Sequence, residues 1–234
     1  MRSVLLIAVC FVVGVPIAVA ADDLKPIFDG KTLNGWVQKG GQAEYRVEGG
    51  CIVGKTVIKT PNSFLCTAKD YADFILEFEF RVDPKLNSGV QIRSQCFDKD
   101  TEFEHAGKPV KIPAGRVHGY QCEIDPDLVR DRWWTAGIYD EGRRGWLFPG
   151  ICGGDAKQFT EQGRKIFKRA DWNRVRIEAR GPSIKTWLNG EPRADFSDST
   201  TLSGFIALQV HSHAEAGLEV RWRNIRLQDL AAIK

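Results

Sequence analysis

Two carboxylates two residues apart are the first candidates for chemistry in this 234-residue sequence. Glu123 and Asp125 belong to the stretch 119–125, in which polar and apolar residues alternate as in a β-strand. Both carboxylates are therefore predicted on one face, with Cα atoms about 6.5–7 Å apart. Their carboxyl groups can approach the separation of about 5–5.5 Å used by retaining glycosidases, which raises the pKa of one of them. The alternative is that Asp125 ends the strand in an Asp-Pro turn and only Glu123 faces the site.

Arg93 and His211 lie on the polar faces of two further alternating stretches. If these strands share a sheet with the one holding Glu123, and their apolar faces join the core, the polar faces merge into one candidate site. Arg93 is suited to stabilise an oxyanion or bind a hydroxylated ligand, and the alternative is a structural ion pair with Glu123 or Glu77. His211 is suited to act as a general base, and the alternative is a hydrogen-bonded structural histidine.

Neutral amides and aromatic rings complete the predicted site. Gln91, Gln121 and Gln209 share the polar faces, and each amide both donates and accepts hydrogen bonds, as sugar hydroxyls require. The long insertion at 126–170 is rich in aromatic residues, so it is predicted to form an ordered wall or lid over the polar face. Trp133, Trp134 and Tyr139 are its candidates for stacking on a sugar, although packing is the simpler explanation for each ring taken singly.

Several other classes of function find no support in the sequence. It has no serine-nucleophile elbow, phosphate-binding loop or dinucleotide fingerprint. Lys and Arg number 33 against 30 acidic residues, a net charge of +3, which gives no reason to propose nucleic acid or an anionic membrane as a partner. His211 and His213 have a weak metal-type spacing, and a divalent metal ion stays open as a cofactor.

The first twenty residues have the features of a secretory signal peptide. Arg2 supplies a positive start, an apolar run follows, and Ala18 and Ala20 fit the small-x-small cleavage rule. We therefore expect an exported protein, periplasmic or extracellular, with residues 21–234 forming one domain; an uncleaved membrane anchor is the alternative. Five cysteines follow the predicted cleavage site, so at least one is unpaired. The predicted disulfide joins Cys51 to Cys66, and Cys122 is the predicted buried free thiol.

Short alternating segments predict an all-β protein. The clearest runs from Phe74 to Val82, and the tally of roughly ten or more strands indicates an antiparallel β-sandwich. No long segment shows helical spacing, and residues 96–118 are predicted to form a charged loop. The predicted core between the two sheets contains Phe74, Leu76, Phe78, Phe80, Val90, Ile92, Ile124 and Leu208.

Several motifs in this order resemble one known family. They are Ile27-Phe28-Asp29-Gly30-Lys31-Thr32-Leu33-Asn34-Gly35-Trp36, Asn87-Ser88-Gly89-Val90-Gln91-Ile92-Arg93, Gly119-Tyr120-Gln121-Cys122-Glu123-Ile124, Trp172-Asn173, Leu188-Asn189-Gly190, Gly204-Phe205-Ile206-Ala207-Leu208-Gln209-Val210-His211 and Arg223-Asn224-Ile225. The set is similar to the 3-keto-disaccharide hydrolase family. The resemblance implies a concanavalin A-like jelly-roll sandwich, action on 3-keto glycosides and an exported bacterial protein. Laminarinase-like relatives of that fold carry Glu-x-Asp-x-Glu, whereas this chain has Gln121, Glu123 and Asp125 at those positions.

Two functions of different class remain in competition at this point. The first is an enzyme that cleaves glycosidic bonds of 3-keto sugars, with Glu123 and His211 exchanging protons and Arg93 stabilising an enolate, with or without a metal ion. The alternative is a non-catalytic carbohydrate-binding module, because the same fold serves lectins. A structural envelope protein is a third possibility that the polar face disfavours.

Overall fold

The structure is a computed structural model that describes residues 23–126 and 131–231. The predicted signal peptide lies outside the described residues. In chain order the elements are β1 (Lys25–Pro26), β2 (Trp36–Gly40), β3 (Glu44–Glu48), β4 (Cys51–Lys55), β5 (Ser63–Tyr71), β6 (Phe74–Val82), β7 (Ser88–Gln95), β8 (Thr101–His105), β9 (Lys108–Ile112), β10 (His118–Ile124), β11 (Ile138–Glu141), β12 (Gly145–Phe148), α1 (Ala156–Ile166), β13 (Asn173–Arg180), β14 (Ser183–Leu188), β15 (Glu191–Ser197), β16 (Gly204–Val210) and β17 (Glu219–Asp229).

Two large sheets form a sandwich. The eight-stranded sheet has the order β15-β14-β13-β6-β17-β4-β3, with β1 paired to β17. The seven-stranded sheet has the order β12-β11-β10-β7-β16-β5-β2, and the small hairpin β8–β9 stands apart from both. Neighbouring strands in the described chain pair antiparallel, as at β6–β13 and β7–β10. The predicted antiparallel β-sandwich is therefore confirmed.

The core lies between the two sheets because one face of each central strand is apolar. Strand β6 contributes Phe74, Leu76, Phe78 and Phe80, each no more than 1% exposed. The facing residues of the seven-stranded sheet include Val90, Ile92, Ile124 and Leu208, which join the same buried cluster. The predicted core set is buried in full, since strand alternation alone decides which side chains point inward.

The regions predicted as loop and insertion contain regular structure. Residues 101–112 form the β8–β9 hairpin, and the insertion supplies β11, β12 and the helix α1. Asp155 caps this helix by accepting a hydrogen bond from the Gln158 backbone N–H at 2.8 Å. Only Phe159 and Gly163 of α1 are buried, so its apolar stripe is too thin to be recognised from spacing.

Arg193 fastens the insertion to the edge of the eight-stranded sheet. This side chain on β15 is 5% exposed, and its guanidinium lies 3.4 Å from the centre of the Phe159 ring. It donates to the backbone carbonyls of Trp133 at 3.0 Å, Thr135 at 3.1 Å and Phe159 at 2.8 Å, and to the Gln162 side chain at 2.8 Å. Residues 131–170 of the insertion are therefore an ordered part of the sandwich, as the aromatic content predicted.

The predicted Cys51–Cys66 disulfide is wrong. Cys51 lies on β4 of the eight-stranded sheet, whereas Cys66 lies on β5 of the other sheet. All five cysteines in the described part of the chain are free thiols. Cys122 is buried, as predicted, and burial raises the pKa of its thiol.

None of the helices in the described ranges is long and apolar enough to cross a membrane.

Candidate active site

A chain of hydrogen bonds runs through the outer face of the seven-stranded sheet and ends at Glu123. The Ser94 hydroxyl donates to Gln91 Oε1 at 2.7 Å, and Gln91 Nε2 donates to Gln121 Oε1 at 2.7 Å. Gln121 Nε2 then donates to Glu123 Oε2 at 2.8 Å. Gln91 and Gln121 meet because they are direct partners in the β7–β10 register. The donors of all three bonds point toward the carboxylate, so the chain orients this group and favours its charged form.

Glu123 is held near the point of half-ionisation at neutral pH. Burial raises the pKa of this carboxyl, and the negative charge of Asp125 raises it further. Hydrogen bonds donated by Asn87 at 2.6 Å and by Gln121 favour the charged form and lower the pKa. The balance places the pKa of Glu123 at about 7, against an ordinary value of 4.5. A carboxyl with this pKa can both accept and return a proton at neutral pH.

A second carboxyl, Glu141, lies on the neighbouring strand β11, on the same outer face as Gln121 and Tyr139. It is paired with Arg116 at 2.6 Å, and the side chains of His211 and Asn62 also interact with it. Burial raises the pKa of Glu141, while Arg116 and His211 oppose that shift. Four strand spacings of about 4.8 Å separate its strand β11 from β5, which follows Asn62, so the sheet must curve for these side chains to meet.

Aromatic rings and Arg132 form the remaining wall. The Arg132 guanidinium carbon lies 4.9 Å from the centre of the Trp146 ring and 5.1 Å from that of Trp134. It also pairs with Asp125 at 2.9 Å. Tyr139 packs edge-on against Trp146, with their ring centres 5.3 Å apart. Arg132, Trp146 and Tyr139 line the cavity, whereas Trp134 supports Trp146 from behind.

Together these walls enclose a polar cavity of about 330 Å³. This volume lies at the lower end of the usual range for ligand pockets, about 300–1,000 Å³. Its floor holds Glu123, Gln121 and Asn87, and its rim holds Asn62, His211, Glu141 and Arg116. The cavity combines two carboxyls, an imidazole and two guanidinium groups, which suits proton transfer on a hydroxylated ligand.

Four of the predicted site residues line this cavity: Gln121, Glu123, Tyr139 and His211. Asp125 is buried behind Glu123 and contacts Arg132, so it acts on the cavity through charge rather than by direct exposure. His211 faces the cavity while its Nδ1 atom lies 2.8 Å from the backbone carbonyl oxygen of Ser212.

Gln91 and Gln209 lie on the predicted face but are fully buried. The reason is the segment 113–117, here called the covering segment, which connects β9 to β10 across this face. Its Val117 packs with Phe64 and Ala207, which flank Gln209 on the sheet. The sequence predicted one open polar surface. The structure instead has a smaller cavity, and the part of the face that holds Gln91 and Gln209 is covered.

The predicted site role of Arg93 is not supported by its position. Its φ angle is +47°, and the pairing register shifts on both sides of it, as at a β-bulge. The side chain is fully buried and donates at 2.6 Å to each of the backbone carbonyls of Ala72 and Gly181, and at 3.0 Å to Asp73. It forms an ion pair, as the alternative held, but with Asp73 rather than Glu123 or Glu77.

Trp133 and Trp134 also do not line the cavity. Trp133 is 5% exposed and its indole N–H donates to Asp131 at 2.5 Å. The Trp134 indole N–H donates to the Thr160 hydroxyl at 2.9 Å, which ties it to the helix α1. Both rings serve packing, the simpler of the two explanations.

Sequence reasoning missed several lining residues: Asn62, Asn87, Arg116, Arg132, Glu141 and Trp146. Asn87 could have been found from the sequence. It directly precedes β7, the strand of Gln91, and the first residue of β7 pairs with the last residue of β10, the strand of Glu123. Arg116 and Arg132 lie outside the strands, so alternation carries no signal for them. Glu141 lies two residues after Tyr139 on β11, so alternation along that strand could have placed it on the same face.

Within the described ranges no group of three or more His, Cys, Asp or Glu side chains is placed to hold a metal ion. His213, the second histidine of the weak spacing, is not part of the cavity lining and accepts a hydrogen bond from the Glu215 backbone N–H at 3.0 Å.

The fold and the cavity define a β-sandwich protein with a polar site of mixed charge on the outer face of one sheet. The chain belongs to the family of the 3-keto-alpha-glucoside-1,2-lyase-like domain, whose model matches residues 23–228. This membership confirms the resemblance seen in the sequence motifs.

A 3-keto-disaccharide hydrolase of Bacteroides thetaiotaomicron is 28% identical over 171 residues, which cover 68% of this chain and 53% of that protein. The chain thus spans about half the length of this curated relative. Two Bacillus subtilis structures share the fold. A protein of unknown function with a galectin-like fold has a TM-score of 0.57 at 12% identity, covering 84% of this chain and 90% of that one. The carbohydrate-binding module CBM66 has a TM-score of 0.52 at 15% identity, covering 83% and 95%.

Proposed function

We propose that this protein cleaves the glycosidic bond of 3-keto glycosides, with Glu123 as the proton-transferring group. The observation that carries the proposal is a buried carboxyl of pKa about 7, oriented by two hydrogen bonds, at the floor of a polar cavity in a member of this family. The name of the Bacteroides relative supports the substrate class.

The chemistry follows from the ketone at C3 of the sugar. A base removes the proton at C2, and the electron pair is delocalised onto the ketone oxygen as an enolate. The enolate then re-forms the ketone and expels the substituent at C1, whose oxygen takes up a proton, leaving a C1=C2 double bond. Addition of water across that bond gives net hydrolysis. A lyase and a hydrolase therefore share the first two steps and differ only in whether water adds.

The side chains of the cavity match these needs. Glu123 and His211 are the candidate base and acid, since both line the cavity, Glu123 from β10 and His211 from the position that follows β16. Arg93 is buried elsewhere, so we assign the enolate oxygen to Arg116 and Arg132, the guanidinium groups in the lining. Fixed cations aimed at a developing negative charge stabilise it more than they stabilise the neutral ketone.

The test is a panel of glycosides and their 3-keto forms, incubated in heavy water with wild-type protein and Glu123→Gln. We expect cleavage of the keto forms only, deuterium at C2 of the keto product, and a loss of about 10²–10⁴-fold in kcat for the variant with binding retained. Glu79→Gln is the matched control, because Glu79 pairs with Arg223 on the other sheet.

Three outcomes would contradict the proposal. Cleavage of both sugar forms without deuterium at C2 would indicate direct displacement. Unchanged turnover in Glu123→Gln would remove Glu123 from the reaction. Binding without any turnover would identify a carbohydrate-binding module instead.

A further inference from the structure

The covering segment, residues 113–117, is firmly attached where it crosses the outer face of the seven-stranded sheet. The Ala114 N–H donates to Asp100 Oδ1 and the Gly115 N–H donates to the Phe97 carbonyl, both at 2.8 Å. Arg116 donates from its backbone to Pro113 at 3.1 Å, which closes a turn. These bonds join the segment to the loop that precedes the β8–β9 hairpin.

Val117 places the segment in direct contact with the sheet. It is 1% exposed and packs in a small cluster with Phe64 and Cys66 from β5 and with Phe205 and Ala207 from β16. These residues all belong to the outer face of the seven-stranded sheet, opposite the main core. Val117 therefore fills the space between the covering segment and the sheet, and we call this side chain the wedge.

The wedge separates two cavities on the same face. On one side Arg116 contributes to the cavity of about 330 Å³ that holds Glu123. On the other side Cys96 and Phe97 line a second cavity of about 420 Å³, together with Val37. Val117 therefore lies between the two cavities, because its neighbour Arg116 lines the first, while Phe205 and Cys96, which pack in its cluster, line the second.

We propose that Val117 and the covering segment make the site specific for a keto-sugar at the end of a chain. This inference rests on the proposed function. A sugar inside a chain carries glycosidic neighbours on two sides, so its binding needs a cleft that is open in both directions. Here the covering segment bounds the cavity on one side through Arg116 and its ion pair with Glu141, and the adjacent Val117 is packed against the sheet.

The test uses two linear glucotrisaccharides that differ only in the position of the ketone. One carries the C3 ketone on the non-reducing terminal sugar, and the other carries it on the middle sugar. For wild-type protein we expect kcat/KM for the middle-keto substrate to be about 100-fold below that for the terminal one, or lower still.

Val117→Gly should open the path into the second cavity. The ratio of kcat/KM for the terminal-keto substrate to that for the middle-keto substrate should then fall by about tenfold or more. The terminal-keto substrate should be cleaved at nearly the wild-type rate. Val37→Ala is the control, because Val37 lines the second cavity, is half exposed and is not a member of the Val117 cluster, and its selectivity should be unchanged. Val117→Ala, a milder truncation, serves if the glycine variant does not fold.

Equal cleavage of the two trisaccharides by wild-type protein would overturn the inference while leaving the proposed function intact. Unchanged selectivity in a folded Val117 variant would also overturn it. Failure to cleave any keto glycoside would instead overturn the proposed function, and this inference with it.

Discussion

Replacing Gln121 with leucine should move the pH dependence of activity toward higher pH. Gln121 Nε2 donates one of the two hydrogen bonds that hold the Glu123 carboxylate, at 2.8 Å. This bond favours the charged form, so its loss disfavours ionisation and raises the pKa of Glu123. Leucine also makes the surroundings of the carboxyl less polar, which acts in the same direction.

The size of the effect follows from the energy of that bond. A hydrogen bond to a charged group contributes about 1.5–3 kcal/mol, and 1.36 kcal/mol corresponds to one pH unit. The pKa of Glu123, about 7 in the native protein, should therefore rise by about one to two pH units in the variant. At pH 7 the ionised fraction would fall from about half to between about a tenth and a hundredth.

The assay is kcat/KM for a 3-keto glycoside measured from pH 5 to pH 10. This quantity reports the ionisations of the free enzyme, so the limb with an apparent pKa near 7 belongs to Glu123 in our assignment. Gln121 also lines the cavity, and the height of the profile will fall for that reason alone. The comparison between variant and wild-type protein therefore uses the apparent pKa of this limb and not the maximum value of kcat/KM.

Ser94→Ala is the matched control at the far end of the hydrogen-bond chain. It removes the donor to Gln91 but leaves both later bonds in place. Its limb should stay within a few tenths of a pH unit of the wild-type limb. A limb that stays in place in Gln121→Leu, or moves to lower pH, would refute the assigned role of this hydrogen bond.

Two further predictions concern residues outside the cavity. Arg93→Met should lower the free energy of unfolding in urea by about 3 kcal/mol, because it removes the donor to the carbonyls of Ala72 and Gly181 and the ion pair with Asp73. The apparent pKa in its kcat/KM profile should equal that of the wild-type protein. A shift of this pKa would indicate that Arg93 acts in the site after all. Thiol labelling of the denatured, unreduced chain should modify Cys51, Cys66, Cys96, Cys122 and Cys152, all of which are free. Protection of any pair in the monomer would contradict this arrangement.

The sequence predicts the sandwich and its core well because both depend on a single local rule. Alternation along Phe74–Val82 decides which side chains point inward, whatever strands lie beside them. The same rule places Gln121 and Glu123 on one outer face, where the structure has them. The sequence is therefore sufficient to predict that the Gln121 amide and the Glu123 carboxyl lie together in the site.

The rule fails where the backbone departs from regular pairing. At Arg93 a bulge turns the side chain away from the face that its parity predicts. Gln209 keeps its predicted face, but the covering segment packs over that face. Asn62, from the loop before β5, meets Glu141 of β11, although four strand spacings separate the two strands in the sheet. Each of these outcomes depends on contacts between distant segments, which residue spacing does not encode.

The attachment of the insertion to Arg193 has a consequence for the order in which this protein is built. The carbonyls that Arg193 binds lie 34 to 60 residues earlier in the chain. During synthesis the insertion emerges before the hairpin that carries its anchor, so its final position waits for β15. The bonds that fasten the wall holding Arg132 and Trp146 can therefore form only once β15 is present.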